Sequence, residues 1–140
     1  MSAANKAVVR QWFANFSSGD LAAQTALLGS GHQYHFPFVP VPLDGPAHMA
    51  AQQGFQAAIP DLQFTLHEQL ADGDKVVTRF TFTGTFKNAF MGMPPTGGAI
   101  ACNGINIMHI VDGKNAEEWD AFDTLTLMRQ FGAVPTPEDG

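Results

Sequence analysis

Between Asn5 and Phe16 the apolar residues Val8, Val9, Trp12, Phe13 and Phe16 recur every three or four positions, the spacing of one buried stripe on a helix. Ser17-Ser18-Gly19-Asp20 breaks the stripe. Asp20 is placed to cap a second helix through Leu28, with Leu21, Ala22, Leu27 and Leu28 as its packing face and Gly29-Ser30-Gly31 as its end. Together these predict a helical hairpin. From His32 to Pro46 the prolines Pro37, Pro40, Pro42 and Pro46 remove backbone donors and fix φ, so this stretch predicts a short strand followed by a wrapping loop. A third helix is expected over Ala47 to Ala58, between Gly45-Pro46 and Pro60.

After Pro60 the period shortens to that of a strand. Phe64, Leu66 and Leu70 alternate with polar residues, Asp72-Gly73-Asp74 makes a turn, and Val76, Phe80, Phe82 and Phe86 continue with threonines between them. A loop over Gly92 to Gly98 leads into Ile100–Val111, which is nearly all apolar and predicts a strand buried on both faces. Asp112-Gly113 is a two-residue hairpin signal that returns the chain along Lys114 to Phe122. Asp123 then caps a last short helix through Phe131. Helices followed by an antiparallel meander, with no repeated strand–helix–strand unit, predict one α+β domain over residues 1–134, with 135–140 a frayed tail.

Composition narrows the function classes. With 45% hydrophobic residues and twelve Phe in 140 positions, the chain can bury one sizeable core and therefore one enclosed site. Seven Lys and Arg, scattered against thirteen Asp and Glu, argue against a nucleic-acid partner. Cys102 is the single cysteine, so no intrachain disulfide or thiolate metal cage can form, and its apolar surroundings predict a buried, inert thiol. No apolar stretch has the length of a signal peptide or membrane span, and a soluble cytoplasmic protein without membrane contact is expected.

The penultimate element carries the candidate chemistry. With a period of two, Glu118, Asp120 and Phe122 share one face, opposite Trp119, Ala121 and Asp123, and Asn106 falls near Asp120 across the Asp112-Gly113 turn. A carboxylate inside an aromatic cavity is hard to ionise, so its pKa moves toward neutrality, where it can take and return a proton. Periodicity alone leaves a pocket-facing and a solvent-facing Asp120 equally open. His32-x-x-His35 lacks an acidic third ligand and does not read as a zinc site. His109 shares a face with Ile105 and Ile107, opposite Asn106, and reads as a surface or interface group. Phe90, Met91 and Met93 read as an apolar lip.

Asn5-Lys6-Ala7, Phe16-Ser17-Ser18-Gly19-Asp20, Tyr34-His35, Ile59-Pro60-Asp61-Leu62, Thr83-Gly84-Thr85-Phe86, Met91-Gly92-Met93-Pro94-Pro95-Thr96-Gly97, Ile110-Val111-Asp112-Gly113-Lys114, Glu118-Trp119-Asp120 and Leu127-Met128-Arg129-Gln130-Phe131-Gly132 follow one another along nearly the whole chain. This order resembles the SnoaL-like polyketide cyclases, or ester cyclases, of the nuclear-transport-factor-2-like superfamily. The resemblance implies a cone-shaped α+β barrel, with three N-terminal helices in the hollow of a curved mixed or antiparallel sheet and a short C-terminal helix. It also implies an aspartate, counted from the Asp-Gly-Lys turn to Asp120, that acts as general acid/base in an intramolecular aldol closure without metal or cofactor.

By the same resemblance Asn106 and His35 are polar pocket residues able to steady an oxyanion, and Phe16 lies on the cavity wall; Trp12, Tyr34, Met108, Phe122, Phe90 and Met93 are expected to contact the substrate with it. The implied ligand is a small hydrophobic carbonyl or ester compound, and the implied assembly a homodimer through the outer sheet face. Other branches of the superfamily supply the alternatives. One is a cavity that binds a hydrophobic ligand without chemistry; another is an epoxide hydrolase, which would set Arg79 beside Asp120. A third is a ketosteroid isomerase, whose helix tyrosine is here replaced by Phe16.

Overall fold

The structure is a computed structural model that describes residues 2–135; the part of the expected tail at 136–140 lies outside the described residues. The first apolar stripe forms α1 (Ser2–Ser18), with Val9, Trp12 and Phe13 buried. Asp20 caps α2 (Leu21–Ala26) through a hydrogen bond from the Ala23 N–H. This helix is shorter than expected. Leu27 closes it, the Asn115 N–H donates to the Leu27 carbonyl at 2.7 Å, and the chain enters β1 (Leu28–His35) directly. Gly29 lies in that strand because the backbone of Asn115 and Ala116 passes so close that a Cβ would sit 3.3 Å from it.

After the proline-rich loop, Asp44 caps α3 (Gly45–Ala58), with Pro46 in its first turn. The remaining chain forms β2 (Gln63–Asp72), β3 (Lys75–Thr85), β4 (Ala99–Val111), β5 (Lys114–Phe122) and α4 (Thr124–Gln130), the last capped by Asp123.

The five strands form one mixed sheet in the order β1-β5-β4-β3-β2, antiparallel throughout except for the parallel β1–β5 pair. Register shifts at Leu66/Glu68 and His109/Ile110 insert extra residues, and such bulges bend and twist a sheet. The sheet is curved and unclosed, with β1 and β2 as its edges, so the expected cone is present while the barrel stays open.

Helices cover only the concave side. In β4 Ile100, Cys102, Asn106, Met108 and Ile110 are buried while alternate positions face outward, Ile105 being 48% exposed. The expectation of a strand buried on both faces is therefore corrected: the outward isoleucines suit a pleated strand but have no layer over them in the monomer.

The concave side is packed with aromatic rings. Phe13 meets Phe64 at 5.0 Å and Phe80 at 5.3 Å, and Phe55 meets Phe82 and Phe90 edge-on at 5.4 Å each. Offset and edge-to-face contacts of this kind add about 0.5–1.5 kcal/mol each beyond area burial. Gly84 lets the end of α3 seat on β3, since a Cβ there would lie 2.2 Å from the Cγ2 of the fully buried Ile59. Gly84→Ala should lower unfolding free energy in urea by about 1–3 kcal/mol. Unchanged stability would mean that the α3–β3 contact yields freely.

Candidate functional site

Strand order decides which polar groups can meet. β5 lies between β1 and β4, with Tyr34 opposite Glu118 on one side and Asn106 opposite Asp120 on the other. The inward faces of three strands thereby place a phenol, two carboxyls and an amide together. They stand at one wall of an open-mouthed cavity of about 40 Å³, lined otherwise by rings such as Trp12, Phe16, Phe55, Phe82 and Phe122.

Asp120 is half-buried at this wall. Its Oδ2 accepts a hydrogen bond from the Tyr34 hydroxyl at 2.6 Å, and its Oδ1 accepts one from Asn106 Nδ2 at 2.7 Å. Asn106 gives its other N–H to Glu118 Oε2 at 2.9 Å, and Asn115 Nδ2 donates to Glu118 Oε1 at 2.9 Å. Both amide hydrogens of Asn106 are thus engaged, while its Oδ1 is buried with no partner among the described residues. An orphaned acceptor of that kind costs about 1–3 kcal/mol. Its acceptance here shows that the two carboxyl contacts set the orientation of Asn106.

Burial, the largest effect, pushes the Asp120 carboxyl above its usual range, and hydrogen bonds from Tyr34, Asn106 and Glu118 pull it partly back. Glu118 is pushed well above the usual range by burial first and by the charge of Asp120 second. Burial, with Asp120 and Glu118 adding to it, likewise raises the Tyr34 phenol, which stays a protonated donor.

Behind the carboxyls lie two buried imidazoles. His48 stacks on Tyr34 with centroids 3.7 Å apart and meets His32 at 2.8 Å, and its Nε2 stands 4.0 Å from Glu118 Oε1. Burial, followed by the neighbouring His32, drives His48 down to about 2, and burial lowers His32 also. Two unit charges 4 Å apart attract by about 4 kcal/mol at an effective dielectric of 20, less than the several kcal/mol needed to bury each ion. An ion pair between them would not repay that burial, and His48 faces Glu118 as a neutral imidazole.

Of the residues anticipated from sequence, Asp120, Trp12, Phe16, Tyr34 and Phe122 line the cavity. Asn106 stands directly behind it, fully buried, and has no N–H left for a substrate oxyanion. The pocket position expected for His35 is corrected. Tyr34 takes the inward direction, so its neighbour points outward, stacks on Trp119 at 5.1 Å and binds Glu117 at 2.7 Å.

Met108 and Phe90 belong to the packed core, Met93 is half-buried against it, and none of the three lines the cavity. Phe90 instead braces Phe55 and Phe131, both at 5.4 Å. Arg79 lies on the exposed face against Glu68 at 3.4 Å, so no Arg–Asp hydrolase arrangement forms around Asp120. His109 pairs outward with Asp74, and Cys102 is buried with its thiol pushed up to about 11, chiefly by burial. The sequence expectations assign no role to Glu118, His32 or His48. The signal for His48 lies in α3, where His48, Gln52 and Phe55 fall on one buried stripe and two of the three are polar.

The sequence matches the description SnoaL-like polyketide cyclase over residues 6–131. The chain belongs to the SnoaL-like polyketide cyclase family.

Solved structures agree with this membership. The cyclase-family chain is 26% identical to AclR of Streptomyces galilaeus, a candidate hydroxylase, with 96% of this chain and all of that one covered at a TM-score of 0.86. It is 29% identical to TsrD of Streptomyces laurentii, covering 96% and 98% of the two chains at a TM-score of 0.82. It is also 29% identical to IdmH of Streptomyces antibioticus, a candidate polyketide cyclase, over 91% and 98% of the chains at 0.78. Among curated proteins none shows significant sequence similarity to it.

The neutral imidazoles give this SnoaL-like domain a defined acid response. Below about pH 6.5 the unfolded chain protonates His48 whereas the folded chain does not, so the unfolded state binds more protons and stability falls as the pH is lowered. Relative to His48→Gln, the natural protein should lose about 1.4 kcal/mol per pH unit between about pH 6.5 and pH 4. Urea unfolding of both proteins across that range measures the difference. Parallel pH dependences would show that His48 is protonated in the fold.

Proposed function

We propose that this SnoaL-like protein performs acid/base chemistry on a small hydrophobic carbonyl or ester compound, closing a ring by an intramolecular aldol-type reaction that needs no cofactor. The observation that carries the proposal is Asp120, a carboxylate at the wall of an aromatic cavity, held at 2.6 and 2.7 Å by Tyr34 and Asn106. Asp120 removes the proton next to a carbonyl. The resulting enolate attacks a second carbonyl of the same molecule, and Asp120 returns the proton to the new alkoxide. Once Asp120 is protonated it holds the Tyr34 hydroxyl less strongly, and that hydroxyl becomes the nearest donor for the developing oxyanion. The surrounding rings keep a flexible substrate folded and exclude water.

The same fold carries a hydroxylase name in AclR and a cyclase name in IdmH, so fold alone does not choose a reaction. The choice rests on the site. Asp120→Asn keeps shape and one acceptor while removing the base. Against a panel of aromatic β-keto esters, turnover should fall by about 10²–10⁴-fold, with binding nearly unchanged. Binding without turnover in the natural protein would make the cavity a ligand carrier, and unaltered turnover in the variant would clear Asp120.

The outward face bearing Ile105, Ile107, Trp119 and the His35–Glu117 pair is proposed to be covered by a second copy of the chain in a cytoplasmic homodimer. Among the described residues no helix is long and apolar enough to cross a membrane. Sedimentation equilibrium should give twice the chain mass, and Ile105→Lys should shift it toward the monomer. A monomeric natural protein would refute the arrangement.

A further inference from the structure

The hydrogen bonds behind Asp120 leave little freedom in where protons sit. His32 Nδ1 lies 2.8 Å from the Asn115 carbonyl oxygen, which can only accept, so the Nδ1 of His32 carries the hydrogen. A neutral His32 then has a bare Nε2, and this nitrogen lies 2.8 Å from His48 Nδ1, which must therefore donate. A neutral His48 is left with a bare Nε2, and that lone pair faces Glu118 Oε1 at 4.0 Å. The row ends at a backbone carbonyl, so it cannot pass a proton onward, and each tautomer is fixed by the one before it.

Glu118 meets the other end of this row. Its two oxygens accept from Asn115 and Asn106, it shares the Asn106 amide nitrogen with Asp120, and it is 3% exposed. Two carboxylates that share one amide nitrogen repel each other when both are ionised, and the lone pair of His48 also disfavours a negative charge on Glu118. Each carboxyl accepts two hydrogen bonds, and exposure separates them: Asp120 is half-buried at the cavity and Glu118 is sealed behind it, which makes Asp120 the better anion of the two. Burial acts in the same direction on Glu118 and on the imidazoles.

We infer that Glu118 is the resident acid of the site, kept protonated in its buried place opposite the bare Nε2 of the tautomer-locked His32–His48 pair, so that Asp120 is the ionised member of the two carboxyls. The pair then carries one negative charge. When Asp120 takes a proton from a substrate carbon, the carboxyls become neutral and the single charge moves to the enolate; when it returns the proton, the charge returns to Asp120. No second anion has to be buried at any stage. Glu118 does not touch the reacting atoms in this scheme. It is a positioning residue that sets the protonation of Asp120.

The charge assignment stands without turnover, and only its catalytic consequence rests on the acid/base reading above. The groups facing Glu118 are His48 from α3, His32 and Tyr34 from β1, Asp120 from β5 and the uncharged Asn106 and Asn115, and each is visible by NMR. The experiment uses the ligand-free protein with ¹³C-labelled Asp and Glu carboxyls and ¹⁵N-labelled histidines. From about pH 5 to about pH 8, where a free glutamate is ionised, one of the four glutamates should keep the shift of a carboxylic acid. That signal should vanish in Glu118→Gln. His32 and His48 should both show a protonated Nδ1 and a bare Nε2.

A second comparison covers a poorly folding variant. Both replacements are uncharged, as Glu118 is in this assignment, so the midpoint of Asp120 should stay within about half a pH unit of natural in Glu118→Gln and in Glu118→Met. An ionised Glu118, a doubly protonated His48, or an Asp120 midpoint that falls by about one pH unit or more in both variants would overturn the assignment. Loss of the enzymatic reading through Asp120→Asn would leave these spectra unchanged, so the two failures are separable.

Discussion

Asn106 divides its two amide hydrogens between Glu118 and Asp120, and the arrangement of the site depends on that division. The amide sits on β4 in register with Asp120 on β5, so strand pairing itself brings donor and acceptors together. Holding both carboxyls leaves the amide oxygen buried and unpartnered, a local loss that the surrounding packing must offset. With the carboxyls so fixed, Tyr34 from β1 closes the other side of Asp120, and His48 from α3 closes the rear of Glu118.

The aromatic packing and the polar cluster are parts of one design. Rings from α1, α3, β2 and β3 exclude water from the concave side of the sheet, and a low-dielectric cavity makes charge costly there. In such a place a lone carboxylate would be neutralised, whereas one supplied with hydrogen-bond donors can remain an anion and still have an elevated affinity for a proton. Asp120, with two donors and a half-buried place at the cavity, meets the second description; Glu118 has two donors as well but lies sealed behind it, and burial decides its character. Two acidic residues two positions apart on one strand thus acquire opposite characters, through neighbours contributed by other elements.

Much of this was legible in the sequence, and the limits have physical causes. The helical stripe from Val8 to Phe16, the Asp20 and Asp123 caps, and the Asp112-Gly113 hairpin are local signals, and each formed the expected element. The shared face of Glu118, Asp120 and Phe122 followed from strand period and is the face that lines the cavity. What failed depended on neighbours distant in sequence. His35 turned outward because the parallel pairing with β5 put Tyr34 inside, and β4 has an uncovered face because the helices pack on one side only. The His32–His48 pair joins a strand to a helix sixteen residues later, and no periodicity in either element announces that contact.

Asp120 as an ionised base inside an aromatic cavity is tested most directly by NMR-detected exchange of the α-hydrogens of an aromatic 1,3-diketone in D₂O. The natural protein should speed exchange well beyond buffer, and Asp120→Asn should return it to the buffer rate while still binding the diketone. Equal acceleration by the two proteins, or none by the natural one despite binding, would contradict the claim.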